Sequence, residues 1–159
     1  MIVVSDTSPL SYLHQIGRLE LLRQLYGTVL IPPAVDHELR AAPTLHTTFD
    51  WSVVQVRHPR EADRVAELLG ELDRGESEAI VLALESQADL LLIDEATGRT
   101  VASRLGVRRI GLLGVLLEAK SKDLIPSAGI ELAKLQERTT FRLASSVREA
   151  FLRLAGESA

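Results

Sequence analysis

The 159 residues include no cysteine, which removes disulfide frameworks, thiolate zinc sites and a cysteine nucleophile together. No apolar run approaches the roughly 20 residues needed to span a bilayer. The opening MIVVSDTSPL lacks the basic region and long apolar core of a secretory signal. A cytoplasmic protein with no membrane association is therefore the expectation. The histidines at 14, 37, 46 and 58 contain no i, i+4 metal-binding pair. A basic excess is missing as well: 18 Lys and Arg face 22 Asp and Glu, a formal charge of -4. That argues against a protein coating nucleic acid by bulk charge. It does not argue against an acidic centre that carries divalent cations, because removing four acids from 22 leaves 18 against 18 bases. Local arginines can then still meet phosphates.

What is present is an ordinary soluble composition, 46% hydrophobic and 25% charged, with no internal repeat and no linker long enough to divide residues 1–159 into two domains. Short β-branched runs alternate with stretches of helical period, the mark of an α/β fold with a parallel sheet and covering helices. Strands are expected at 2–5, 28–31, 53–56 and 89–93, with a short one near Arg109 and Ile110. Helices are expected at 18–26, after Pro32-Pro33, at 60–69, 76–86, 97–105, 112–120, 127–136 and 145–154. Another helix is expected to open with Ser8 as N-cap and Pro9 in its first turn. The run Asp89-Leu90-Leu91-Leu92-Ile93 reads as a fully buried parallel strand.

In an open parallel sheet, ligands bind beyond the carboxyl ends of the strands. Asp6 and Asp94 each follow a strongly apolar strand, so both stand at that edge and converge if the strands are neighbours. Glu38 lies about two helical turns beyond the second strand, and Glu78 in the first turn of the buried helix before the Asp94 strand. Carboxylates held together repel and take up protons unless a cation neutralises them. Hard oxygen ligands suit Mg²⁺ or Mn²⁺, and such a cation promotes displacement at a phosphodiester. Two positions carry alternates. Glu76 and Glu78, two apart on a helix, point in nearly opposite directions, so one faces elsewhere; Glu95 competes with Asp94. Taken singly, each acid also suits a turn, a cap or a solvated helix face, and only the joint pattern points to chemistry.

Four segments carry a family resemblance: VVSDTSPL with Asp6, PAVDHEL with Glu38, GESEAIVLALE with Glu78, and ADLLLIDEATGRTVA with Asp94. Together, and with GLLGVLLEAKSKDLI, they resemble PIN domains over nearly the whole chain, and most closely the VapC-like prokaryotic subgroup with GE-x-EAI and IDD or IDE motifs. The resemblance implies a three-layer α/β/α Rossmann-like fold with a central parallel sheet of about five strands. It implies a Mg²⁺- or Mn²⁺-dependent endoribonuclease with Asp6, Glu38, Glu78 and Asp94 as catalytic and metal-holding acids. It also implies a possible toxin role, with RNA, a small antitoxin protein and a second copy of the chain in a homodimer as partners. The chain departs from the toxins in having Glu at the third acid and Ile93-Asp94-Glu95 at the fourth.

Secondary candidates are Ser8, two residues after Asp6, and Arg99, one turn beyond Asp94 and Glu95, as substrate-contacting or supporting groups. Arg104, Arg108 and Arg109 read as general surface, and Phe49 and Trp51 as loop packing with base stacking as the alternative. A phosphotransfer domain would require a D-x-D near Asp6 or an acidic pair with a late lysine, and the sequence offers neither. The other competing reading is a catalytically weak PIN-fold module that binds RNA or protein.

Overall fold

Apolar runs of two or three residues form a sheet when the helix after each returns the chain to the same sheet end. The computed structural model describes residues 1–43, 45 and 47–157, which leaves His46 outside the described residues. Its strands are β1 (Val3–Ser5), β2 (Val29–Ile31), β3 (Val54–Val56), β4 (Leu90–Leu92) and β5 (Arg109–Ile110). All pairings are parallel, in the order β3-β2-β1-β4-β5. The expected parallel α/β architecture is the one observed.

The helices are α1 (Thr7–Gln15), α2 (Glu20–Tyr26), α3 (Pro33–Ala41), α4 (Ala62–Leu68), α5 (Arg74–Glu85), α6 (Ala96–Arg104), α7 (Leu112–Ser121), α8 (Ala128–Arg138) and α9 (Ser145–Leu154). Strand alternation sends side chains to opposite faces, and two apolar cores result. Val3, Val29, Ile31, Leu90 and Leu92 pack with residues of α1, α2, α3, α7, α8 and α9. Val4, Leu30, Leu91 and Ile93 pack with residues of α4, α5 and α6. These are the two outer layers of an α/β/α sandwich. No helix among the described residues is long and apolar enough to cross a membrane.

Two helix starts differ from expectation. Asp6, not Ser8, is the N-cap of α1, because its N–H still donates to Leu92 O (2.9 Å) and the helix begins as soon as the strand pairing ends. Helix α5 begins at Arg74 rather than Glu76, since Asp73 and Glu76 form a reciprocal capping box. Glu78 is therefore in the second turn. Phe49 (5% exposed) packs against Trp51 at 4.7 Å with the rings tilted by 52°, and the Arg40 guanidinium lies over Trp51, as loop packing.

Glu157 closes the start of α8, in the layer that also holds α7 and α9. It accepts from Ser127 Oγ (2.7 Å), Gly129 N–H (3.0 Å), Ala128 N–H (2.8 Å) and Lys120 Nζ (3.2 Å), seating a carboxylate on the start of α8. Burial works to raise its pKa, but these bonds prevail and hold it down at about 2. Its stabilisation is thus complete above pH 4.5 and lost as pH falls towards 2. Glu157→Gln should lower stability by ~2 kcal/mol at pH 7, the scale of charge-assisted bonds. The deficit should shrink below pH 4 in thermal melts; an unchanged deficit there would remove the electrostatic account.

Candidate active site

Asp6 stands at the carboxyl edge of β1, 6% exposed. Burial first, and then the Glu76, Asp73 and Glu38 carboxylates, push its pKa up to about 7 against a hydrogen bond from Thr7 N–H. It opens onto a cleft of about 440 Å³ with five further acids in its lining: Glu38, Glu71, Asp73, Glu76 and Glu95. Thr7, Ser8 and Thr97 add hydroxyls, and among the described residues no lysine, arginine or histidine lines it. Glu71 is paired with Arg104 (2.9 Å).

Each acid is placed by its element. Glu38 projects from α3 and accepts from Thr7 Oγ1. A Cβ on Gly75 would lie 2.8 Å from Glu38 Oε1, so only glycine leaves that carboxylate its place. Glu76 accepts from Asp73 N–H (3.2 Å), while Asp73 Oδ1 accepts from Glu76 N–H (2.8 Å). A Cβ on Gly98 would lie 3.0 Å from Glu76 Oε2 and 2.7 Å from Ile93 Cδ1, so a side chain there would displace the ends of both. Burial, with Asp73 and Glu95 beside it, raises the Glu76 pKa against the capping-box hydrogen bond.

Of the four principal sequence candidates, the cleft brings together Asp6 and Glu38 and leaves Glu78 and Asp94 aside; the alternates Glu76 and Glu95 line it instead. Glu78 turns to the other side of α5, accepting from Ala34 N–H (3.0 Å) and Arg74 (3.2 Å). Asp94 continues the Leu90–Leu92 face of β4 and accepts from Leu112 N–H (2.8 Å) at the start of α7. Its Oδ2 is buried with no partner among the described residues, and burial raises its pKa against the opposing Leu112 N–H and Arg99. Glu95 shares the parity of Leu91 and Ile93, which is also the face continued from Val4 to Asp6. Ser8 lines the cleft; Arg99 does not, and its Nε is buried with no hydrogen-bond partner among the described residues. Asp73, Thr7, Glu71 and Thr97 were not singled out in the sequence, although Asp73-x-x-Glu76 is a legible capping-box pattern.

Among the described residues no three carboxylate or imidazole groups already converge as a metal-binding group. The donors nevertheless fit a hard divalent cation in kind, all being carboxylate or hydroxyl oxygens, and the two glycines leave room for the glutamates. Searches of curated proteins and of solved structures return no match. A family model described as PIN domain matches residues 2–157. The acid-lined cleft at the carboxyl edge of a five-stranded parallel sheet thus sits in a chain that belongs to the PIN-domain family.

Proposed function

We propose that this PIN domain is a Mg²⁺- or Mn²⁺-dependent endoribonuclease acting at the Asp6 cleft, with Glu38, Glu76 and Glu95 as the accompanying acids and Asp73 in support. The observation carrying this reading is the burial of Asp6 among acids, with no basic side chain in the lining among the described residues. When bound, the divalent cation neutralises charge on the scissile phosphate and makes water a better nucleophile.

The chain's own residues do the rest. Thr7 and Gly75 hold Glu38 towards the cleft. The capping box holds Glu76 at the N-terminus of α5, where the helix dipole favours negative charge. Asp6, with its pKa near 7, releases its proton when positive charge enters. On this reading the partners are RNA and, as the VapC-like resemblance suggests, a small antitoxin and a second copy of the chain.

Purified protein is expected to cut a labelled single-stranded RNA with Mn²⁺ or Mg²⁺ and not in EDTA. No cutting with either cation removes the assignment. Glu76 and Glu78 make a sharper pair. Glu76→Gln should weaken Mn²⁺ binding by about 10–100-fold, the scale reported for groups that support a metal. Glu78→Gln should leave Mn²⁺ titration unchanged but lower the melting temperature, because it weakens the link from α5 to Ala34. The reverse outcome would place the third acid on the other side of the helix.

A further inference from the structure

A second cleft, of about 590 Å³, lies in the same helical layer and is lined by Arg57, His58, Arg60, Glu61, Leu82 and Glu85, with Ser86 at its rim. Its two carboxylates are engaged away from its arginine side chains. Glu85 is occupied by the backbone N–H groups of Arg60 (2.8 Å) and Glu61 (2.7 Å), and Glu61 by Arg64 (3.3 Å). Arg64, Arg74 and Arg104 of this layer each have a carboxylate partner. Arg57, His58 and Arg60 are exposed, and among the described residues their side chains have no ion-pair or hydrogen-bond partner. Arg57 and Arg60 are thus two exposed guanidinium groups without a carboxylate partner among the described residues.

Sheet register relates this cleft to Asp6. Val4 pairs with Leu30, and Leu30 with Gln55. Two residues further along each strand, the row becomes Asp6, Pro32 and Arg57, and Arg57 N–H donates to Ile31 O (2.9 Å). Asp6 and Arg57 therefore stand at one sheet edge two strands apart, on the order of 10 Å, with the parity that faces α4 and α5. A smaller groove, of about 210 Å³, is lined in part by Pro59, Leu69, Arg74 and Glu78. Its Arg74 adjoins Asp73 of the acid cleft in sequence, and its Pro59 adjoins His58 and Arg60.

We infer that the Arg57–His58–Arg60 cleft holds the phosphate backbone of a single-stranded RNA whose neighbouring segment is cut at Asp6. The inference rests on the nuclease reading and adds the path of the substrate. Backbone contacts of this kind position a strand without reading its sequence, and they make binding depend on salt.

The test is fluorescence anisotropy of the full chain in EDTA with a labelled RNA of about 12 nucleotides, within the footprint range of such grooves. It is repeated over a salt series and paired with KM and kcat in Mn²⁺. Arg57→Ala with Arg60→Ala should make the slope of log K against log salt shallower by about 1.4, two single-strand phosphate contacts' worth. KM should rise for every sequence while kcat stays unchanged. Arg57→Lys with Arg60→Lys should keep the wild-type slope, a rescue that general structural damage would not show. An unchanged slope in the alanine pair, while the wild type still cuts RNA, overturns the path and leaves the nuclease reading standing. A wild type that neither binds nor cuts RNA overturns both. Polyglutamate displacing RNA from the wild type, and binding the wild type but not the alanine pair, would mark the cleft as a site for an acidic protein and also overturn the proposal.

Discussion

Asp6→Asn is expected to cut Mn²⁺-dependent RNA cleavage by about 10²–10³-fold, the scale of losing one preorganised electrostatic group, while making the metal-free protein more stable. The two effects share a cause. The Asp6 carboxyl is displaced from 3.8 to about 7 chiefly by burial, then by the Glu76, Asp73 and Glu38 charges, which corresponds to a penalty on the order of 4 kcal/mol against its ionised form. For an acid whose pKa is raised by folding, stability is highest below the unfolded value and falls as pH rises through the folded one. Without metal, the Asp6 contribution should therefore decline between pH 3.8 and about 7 and level off above. An uncharged amide escapes that penalty. Allowing for relaxation of the neighbouring acids, Asp6→Asn should melt about 4–8 °C higher than wild type at pH 8 in EDTA, a gain of ~2 kcal/mol. Added Mn²⁺ should narrow the difference by stabilising the wild type preferentially. A variant that melts lower than wild type at pH 8 would show that Asp6 supports the fold rather than straining it. A variant that cuts at the wild-type rate would remove it from the chemistry.

The second large effect lies away from the cleft. Glu131 on α8 is 1% exposed and accepts from Arg18 Nε (3.0 Å), Arg18 Nη2 (2.8 Å) and Lys134 Nζ (3.2 Å), all at one oxygen. Its other oxygen is buried with no partner among the described residues. Burial works to raise its pKa, but Arg18 and Lys134 outweigh it and leave the carboxyl below its ordinary value. Removing a partner from a buried charge costs more than the pair contributes, because the desolvation penalty stays. Arg18→Leu should therefore destabilise by about 3 kcal/mol at pH 7, or roughly 6–12 °C in melting temperature. A depressed acid stabilises above its unfolded pKa, so the gap to wild type should close as pH falls below 4.5. Adding Glu131→Gln to Arg18→Leu should recover most of the loss. No recovery would mean that Arg18 acts through packing of its stem rather than through charge.

The alternation of apolar runs with helical periods was enough to read the parallel sheet, because both signals are local. Asp6 was equally legible, as an acid directly after a fully apolar strand. The other cleft acids turned on finer geometry. The choice of Glu95 over Asp94 for the cleft depends on strand parity: Ile93 and Glu95 continue one face, Leu92 and Asp94 the other. That parity is visible in the sequence, but its meaning depends on β4 lying beside β1 in register. The choice of Glu76 over Glu78 depends on where α5 begins, and Asp73 sets that start through the capping box. The Arg57 cleft was not legible. Arg57 and Arg60 lack a carboxylate partner there because Glu85, remote in sequence, accepts instead from the backbone N–H groups of Arg60 and Glu61.

Glu157 also has a practical consequence for handling the protein. Glu157 is part of the architecture, since it closes the start of α8 from just beyond α9. A shortened version that stops after α9 but before Glu157 would keep every helix and strand yet leave the α8 amide groups and Lys120 without their carboxylate. Affinity handles joined beyond Glu157 keep that closure, whereas trimming back to Leu154 removes it.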